Sequence, residues 1–232
     1  MQELDVLGST RSTPMGESAT SDPWEDAYLR FETPEQEIAK FVRRLRSLGA
    51  EKWRLDSQIV ELFCGRGNGL KALALLGFRN LEGVDISPRL LACYRGPAIC
   101  HVGDCRKIPL PDHSRDVLIV QGGLHHLTAL PESLEQTLLE VRRVLRPGGY
   151  FVAVEPWLTP FLKFVHVASA NRAVRRFSTK LDALATMIDY ERPTYEQWLS
   201  QPRLVSELVR SHFRPIHEST GWGKWKFIGS PL

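Results

Sequence analysis

Short apolar runs alternate with amphipathic stretches along most of this chain, and their spacing predicts strand followed by helix several times over. Ile59-Val60-Glu61-Leu62-Phe63 reads as a buried strand, Leu70 to Leu76 as a helix stopped by Gly77, and Leu81 to Asp85 as a second strand. Ser87-Pro88 opens a helix running to about Tyr94, and Ala98 to Val102 forms a third strand. Val117-Leu118-Ile119-Val120 is an uninterrupted apolar run of the kind a central parallel strand shows. Leu130, Leu134, Leu138, Val141 and Leu145 mark one face of a helix ended by Pro147-Gly148-Gly149, and Tyr150 to Val154 makes a fifth strand.

Upstream of the alternation, Thr33-Pro34-Glu35-Gln36 carries a capping box with proline at the first helical position. Ile38, Phe41, Val42, Leu45 and Leu48 follow at helical spacing, and Gly49 closes that helix. After Glu155 the alternation gives way to a long helical stretch, and the chain ends in two strands, Phe213 to Glu218 and Lys224 to Ile228. Gly221-Trp222-Gly223 between them predicts a hairpin. The pattern implies an α/β fold: a Rossmann-like, doubly wound sheet of about seven strands, mostly parallel with an antiparallel C-terminal hairpin strand, and helices on both faces. Residues 1–22 read as a flexible polar tail, and 23–232 as one domain with a helical insertion at about 157–212.

Composition adds mainly exclusions. With 43% hydrophobic and 25% charged residues the chain can build an ordinary core, and a net charge of +3 demands no polyanionic partner. Cys64, Cys93, Cys100 and Cys105 lack the density of a disulfide framework and the spacing of a zinc site. Reduced thiols, a cytoplasmic location and no metal are the expectation. No apolar run reaches the roughly 18 residues of a membrane span, and the N-terminus lacks the regions of a signal peptide.

The loop Cys64-Gly65-Arg66-Gly67-Asn68-Gly69 follows the first strand, at the sheet edge where ligands of open parallel sheets bind. A dinucleotide fingerprint would need glycine where Leu70 stands. Glu61, inside the preceding strand, suits a cationic ligand better than a pyrophosphate.

Glu61 to Gly67 resembles motif I of the class I S-adenosylmethionine-dependent methyltransferases. The resemblance continues through Glu82-Gly83-Val84-Asp85-Ile86-Ser87, Gly103-Asp104-Cys105 and Leu145-Arg146-Pro147-Gly148-Gly149, in order and at family spacing. It looks most like the small-molecule branch of that superfamily, of the methyltransferase type 11 kind. Phe63 stands where the family usually has its first glycine.

The resemblance implies S-adenosyl-L-methionine as cofactor and S-adenosyl-L-homocysteine as product. Asp85 would then accept from the ribose hydroxyls, Ile86 pack on the adenine, and Asp104 and the Cys105 amide meet the adenine edge. Gly65 and Gly67 would lie nearest the ligand. Glu61 would order the loop and favour the ligand's positive charge, the Gln121 carbonyl would meet the ammonium, and Tyr28 would join Trp24, Arg30 and Phe31 in a lid. Helix capping is the plainer reading for Asp85 and Asp104, and a buried structural partner for Glu61.

Gln121-Gly122-Gly123-Leu124-His125-His126 falls where an acceptor would meet the methyl group, the glycine pair keeping the backbone thin. One imidazole, His125 or His126, is the candidate general base, because histidine titrates near neutral pH and neighbouring residues rarely point the same way. Trp157, Phe161, Phe164, Val165, Phe177 and Met187 supply apolar material for an acceptor wall, mostly as packing. Arg172, Arg175, Arg176 and Lys180 read as a solvated helix face, with recognition of an anionic acceptor or lipid headgroup as the other reading. The acceptor is expected to be a small molecule, apolar or anionic, with no nucleic acid partner. Gln-Gly-Gly-Leu differs from the Asn-Pro-Pro-aromatic motif of enzymes that methylate planar amino groups. A cofactor-binding sensor or scaffold without catalysis would carry the same motifs, and an RNA or protein methyltransferase is a further alternative.

Overall fold

The central strands of the sheet split their side chains between two cores, as period-two alternation requires when both faces are covered. Val60, Leu62, Leu118 and Val120 point into one, and Ile59, Val117 and Ile119 into the other. The computed structural model describes residues 23–170, 176 and 178–232. The tail at 1–22, and Arg172, Arg175 and Phe177, lie outside the described residues.

The strands are β1 (Gln58–Leu62), β2 (Asn80–Asp85), β3 (Ile99–Val102), β4 (Arg115–Gln121), β5 (Leu145–Pro156), β6 (Phe213–Gly221) and β7 (Lys224–Pro231). They form one seven-stranded sheet in the order β3-β2-β1-β4-β5-β7-β6. β1 lies parallel between β2 and β4, so strand order reverses at its carboxyl end. β7 runs antiparallel to both neighbours. The expected mixed, Rossmann-like sheet is therefore present.

Helix α1 (Pro23–Phe31) precedes α2 (Pro34–Ser47), which starts at the foreseen box: the Gln36 N–H donates to Thr33 Oγ1 at 3.3 Å, and the Thr33 N–H to Gln36 Oε1 at 3.4 Å. Phe41 and Leu45 of α2 pack with Leu70 and Leu73 of α3 (Asn68–Leu75) on one sheet face. Beyond β2, α4 (Pro88–Leu91) is shorter than the sequence implied, because the chain turns at Ala92 and the Tyr94 hydroxyl instead receives the Ala98 N–H at 3.1 Å. On the opposite face lies α5 (Glu132–Val144), whose helical backbone ends at Val144, earlier than Pro147. The strand geometry of β5 begins at Leu145, paired with Arg115.

Between β5 and β6 run α6 (Pro160–Ala170), α7 (Thr179–Ser200) and α8 (Pro202–His212). Trp198 of α7 is fully buried and donates from Nε1 to the Pro156 carbonyl at 2.9 Å, fixing α7 over the end of β5. His212 of α8 meets Glu135 of α5 at 2.9 Å.

Candidate active site

The carboxyl ends of β1, β2 and β4 open into a cavity of about 760 Å³, within the range of roughly 300–1,000 Å³ typical of small-ligand sites. Its walls come from the glycine loop, α1, the 3-10 turn Leu124–His126 and α7.

Asp85 anchors the loop. Its Oδ2 accepts the Gly65 N–H at 2.7 Å and its Oδ1 the Ser87 N–H at 2.9 Å. Gly65 lines the cavity with φ +53°. Gly67 does not lie nearest the ligand as expected: a Cβ there would stand 2.2 Å from the Tyr94 ring, so its bareness makes room for tyrosine. Phe63 adopts φ 55°, the left-handed conformation that the family's glycine would hold without cost. Its ring occupies the space beside Gly123, where a Cβ would come within 2.2 Å. Gly123 is thus thin for Phe63 and not for a ligand.

Glu61 is 3% exposed. Its Oε1 accepts from Gln121 Nε2 at 2.9 Å, while Oε2 has no partner among the described residues. Burial pushes its carboxyl up to about 8. The Gln121 side chain also accepts from Arg44 Nη1 at 3.2 Å, so it bridges an acid and a cation. The sequence reading had considered only its carbonyl. Glu61 meets the loop by packing at Gly69, whereas hydrogen bonds from Arg66 and Asn68 hold it. Both are buried and converge on Glu37 Oε2, Arg66 from Nη2 at 2.8 Å and Asn68 from Nδ2 at 2.9 Å. Arg66 Nη2 also donates to the Glu32 carbonyl at 2.7 Å, tying the loop to the α1–α2 corner.

At the opposite end Ile86 lines the cavity and is 70% exposed, an open apolar platform. Asp104 also lines it, though Arg106 Nη2 reaches its Oδ2 at 2.6 Å and holds the carboxyl below its usual range. Cys105 is buried, and burial pushes its thiol up to about 11, which suits packing and not nucleophilic chemistry.

Both histidines face the cavity, contrary to the expectation that at most one would. Their rings lie 4.1 Å apart because the tight turn carries them together against α7. Glu155, fully buried at the end of β5, accepts the Gly123 and Leu124 N–H groups at 2.8 and 2.9 Å and meets His125 Nδ1 at 2.7 Å. Burial, then the neighbouring His126, lower the affinity of His125 for a second proton, while its hydrogen bond keeps Glu155 ionised despite burial. Nδ1–H therefore donates to Glu155, and Nε2 carries the free lone pair. His126 behaves oppositely. Burial opposes its charge, yet Glu191, 2.8 Å from its Nδ1, raises its pKa and so favours the imidazolium. Donor atoms of His125, His126 and Glu191 lie within 4.8 Å of one another, a spacing open to a metal ion that chain order had not suggested.

α1 spans this cavity. Glu25 pairs with Arg89 at 2.9 Å on one side, and Trp24 Nε1 donates to Glu191 at 2.9 Å on the other. Tyr28 lies between them, stacked on Trp24 at 5.5 Å and under the Arg66 guanidinium at 5.0 Å. Phe31 also lines the cavity, whereas Arg30 is exposed and bonds only within its helix, so it is not part of the cover. Lys224, at the start of β7, lines the cavity too, its ammonium pushed down to about 8 by burial and by Arg44.

Sequence reasoning missed Glu155, Glu191, Glu37, Arg44 and Lys224. An acid at the carboxyl end of β5 was a readable signal for Glu155. Glu191 had none, being one of several acids in a long helix.

Residues 60–153 match the family model described as a methyltransferase domain. A demethylmenaquinone methyltransferase of Chlorobaculum parvum is 25% identical over 75% of this chain and 79% of its own length. A ubiquinone/menaquinone biosynthesis C-methyltransferase of Rubrivivax gelatinosus is 34% identical over 44% of this chain and 43% of its own length. In fold, a crystal structure of a Pyrococcus horikoshii protein aligns over 91% of this chain and all of its own, with TM-score 0.68 and 21% identity. Motif order, strand order and these likenesses agree in supporting the class I S-adenosylmethionine-dependent methyltransferase superfamily, with the methyltransferase-domain match confined to residues 60–153.

Proposed function

We propose that this enzyme methylates a small, largely apolar acceptor at or beside an ionisable group, with His125 as general base. The observation that carries the reading is the His125–Glu155 contact of 2.7 Å, which leaves Nε2 basic inside the cavity. When bound, the cofactor supplies a methyl group already activated on a sulfonium sulfur, so the protein's share is alignment, exclusion of water and removal of one proton.

The residues present fit that cofactor. Glu61 Oε2, buried and without a hydrogen-bond partner among the described residues, complements a positive charge, and Ile86 offers an apolar face. The Asp85 oxygens each hold one backbone N–H and keep lone pairs for ribose hydroxyls. Asp104 and the Cys105 amide would meet the adenine, Gly65 would let the ligand approach the backbone, and Gln121 and Tyr28 would flank the amino-acid end.

On the acceptor side, Phe63, Leu184, Met187, Ile188 and Tyr195 line the cavity. That wall supports an apolar body, as do the relatives named for quinone methylation. His125 would take the acceptor's proton at Nε2, and Glu155 would stabilise the imidazolium that results. The test is incubation of wild type and His125→Ala with labelled S-adenosylmethionine and fractionated extracts. Label should enter an apolar small molecule with wild type and fall sharply with the variant. Label confined to nucleic acid or protein, or absence of heat on titration with S-adenosylhomocysteine, would refute the reading.

A further inference from the structure

The face beside the cavity mouth is built from side chains that a water-facing surface does not need. On α6, Phe161, Phe164 and Val167 recur on one side and are 44%, 69% and 73% exposed, with Leu158 just before them at 44%. Trp222, at the tip of the β6–β7 hairpin, is 82% exposed and meets Phe161 edge-on at 5.4 Å, so helix and hairpin present one continuous apolar patch. Gly223 fixes that junction, since a Cβ there would lie 3.3 Å from Leu162. Contiguous exposed apolar groups of this size mark an interaction surface.

Trp222 is more telling than the rest. It sits at φ 51°, a conformation that glycine or asparagine adopts readily and a bulky residue does not. An exposed tryptophan held in that conformation points to contact with something outside the chain.

Charge selects the occupant. The only charged residue of α6 is Lys163, which is exposed, and from Leu158 to Leu181 the sequence has no Asp or Glu. Arg176, the described member of the basic run apart from Lys180, is exposed as well. Lys180 is engaged by Glu32 at 2.5 Å. Aromatic and aliphatic groups accompanied by cations, without acids, match the interface of an anionic bilayer. No described helix is long and apolar enough to cross a membrane, so contact would be with its surface.

We propose that α6 and the Trp222 hairpin dock on the surface of a bilayer containing anionic lipids. This inference rests on the apolar-acceptor reading for its purpose: Pro156 and Lys224, paired in the sheet and two residues from Leu158 and Trp222, line the cavity, so the docked face adjoins the site that a lipid-dissolved acceptor would enter.

The experiment is co-sedimentation of the full chain with vesicles of phosphatidylcholine alone and of phosphatidylcholine mixed with phosphatidylglycerol. Wild type should partition at least about ten-fold more strongly to the mixed vesicles, and added salt should weaken the difference. Trp222→Asn, which suits the backbone better, should keep or raise the melting temperature while losing most of that partitioning, and Phe164→Glu should lose it too. S-adenosylhomocysteine titration of both variants should match wild type, which separates docking from the cofactor site. Equal partitioning to both vesicle types, or none, would overturn the proposal. So would a concentration-dependent dimer in sedimentation velocity that Trp222→Asn abolishes, since the patch would then belong to a second copy.

Discussion

Gly69 is bare because the Glu61 carboxylate fills the space beside it: a Cβ on Gly69 would stand 2.1 Å from Glu61 Oε1. Gly69 lies two residues beyond the motif that Glu61 opens, and their relation is steric, running across the turn from strand to helix. Gly69→Ala should displace the carboxylate and break its bond with Gln121. Overpacking of this kind costs about 1–3 kcal/mol, so thermal denaturation should show a lowered midpoint. Calorimetry should show cofactor affinity reduced by an order of magnitude or more.

Glu61 also predicts a pH dependence of stability. Its folded pKa, about 8, lies above its ordinary value of 4.5. The folded chain therefore binds a proton that the unfolded chain has released, throughout the interval between those values. The favourable contribution is complete below the unfolded pKa and is lost as pH rises through the folded one. Glu61→Gln, which cannot ionise, should match wild type near about pH 4 and gain relative stability towards about pH 8. Melting curves across that range test this, and a constant difference would refute it.

Cofactor binding should reverse that protonation. A cationic ligand beside the unpartnered Oε2 favours the carboxylate, so titration with S-adenosylmethionine at neutral pH should release a fraction of a proton. Calorimetry in buffers of different ionisation heat reads the number directly, and Glu61→Gln should abolish the release.

His125 and His126 should separate cleanly. His125→Ala should lower kcat by about 10²–10⁴, the usual contribution of a positioned base, with cofactor affinity little changed. Because burial and His126 depress the His125 pKa, the acidic limb of the wild-type kcat profile should fall below the ordinary histidine range. His126→Ala removes the ring that meets Glu191 and should act mainly on acceptor KM. Equal effects of both variants on kcat would argue against a single base.

Arg66 and Glu37 form a buried pair, the arginine being 6% and the acid 4% exposed. Removing one partner from such a pair leaves an uncompensated charge, at a cost of about 3–5 kcal/mol. Arg66→Met alone should therefore lower the melting temperature markedly, and adding Glu37→Leu should recover much of the loss. Hydrogen exchange should show α1 and α2 loosened in the single variant first.

The strand–helix alternation and the position of the glycine loop were legible because both follow from local rules. An apolar run, a glycine turn and an acid at the next strand's end, as at Glu61, Gly65 and Asp85, are readable in a few consecutive residues. Motif spacing then carried the residues to the sheet edge. Gly67 and Gly123 were misread for a simple reason: a missing side chain can make room for a ligand or for another side chain, and only packing tells which. Tyr94 and Phe63 fill those spaces.

By itself the sequence determined the α/β alternation, the capping of α2 at Thr33 and the placement of the glycine loop, since backbone preference and hydrophobic period act between near neighbours. Tertiary structure alone decided the chemistry of the histidine pair. Which nitrogen of His125 is basic depends on Glu155, and whether His126 is charged depends on Glu191, partners brought near by β5 and α7. Proton affinity is set by burial and by charges close in space, and neither quantity is written in the order of residues.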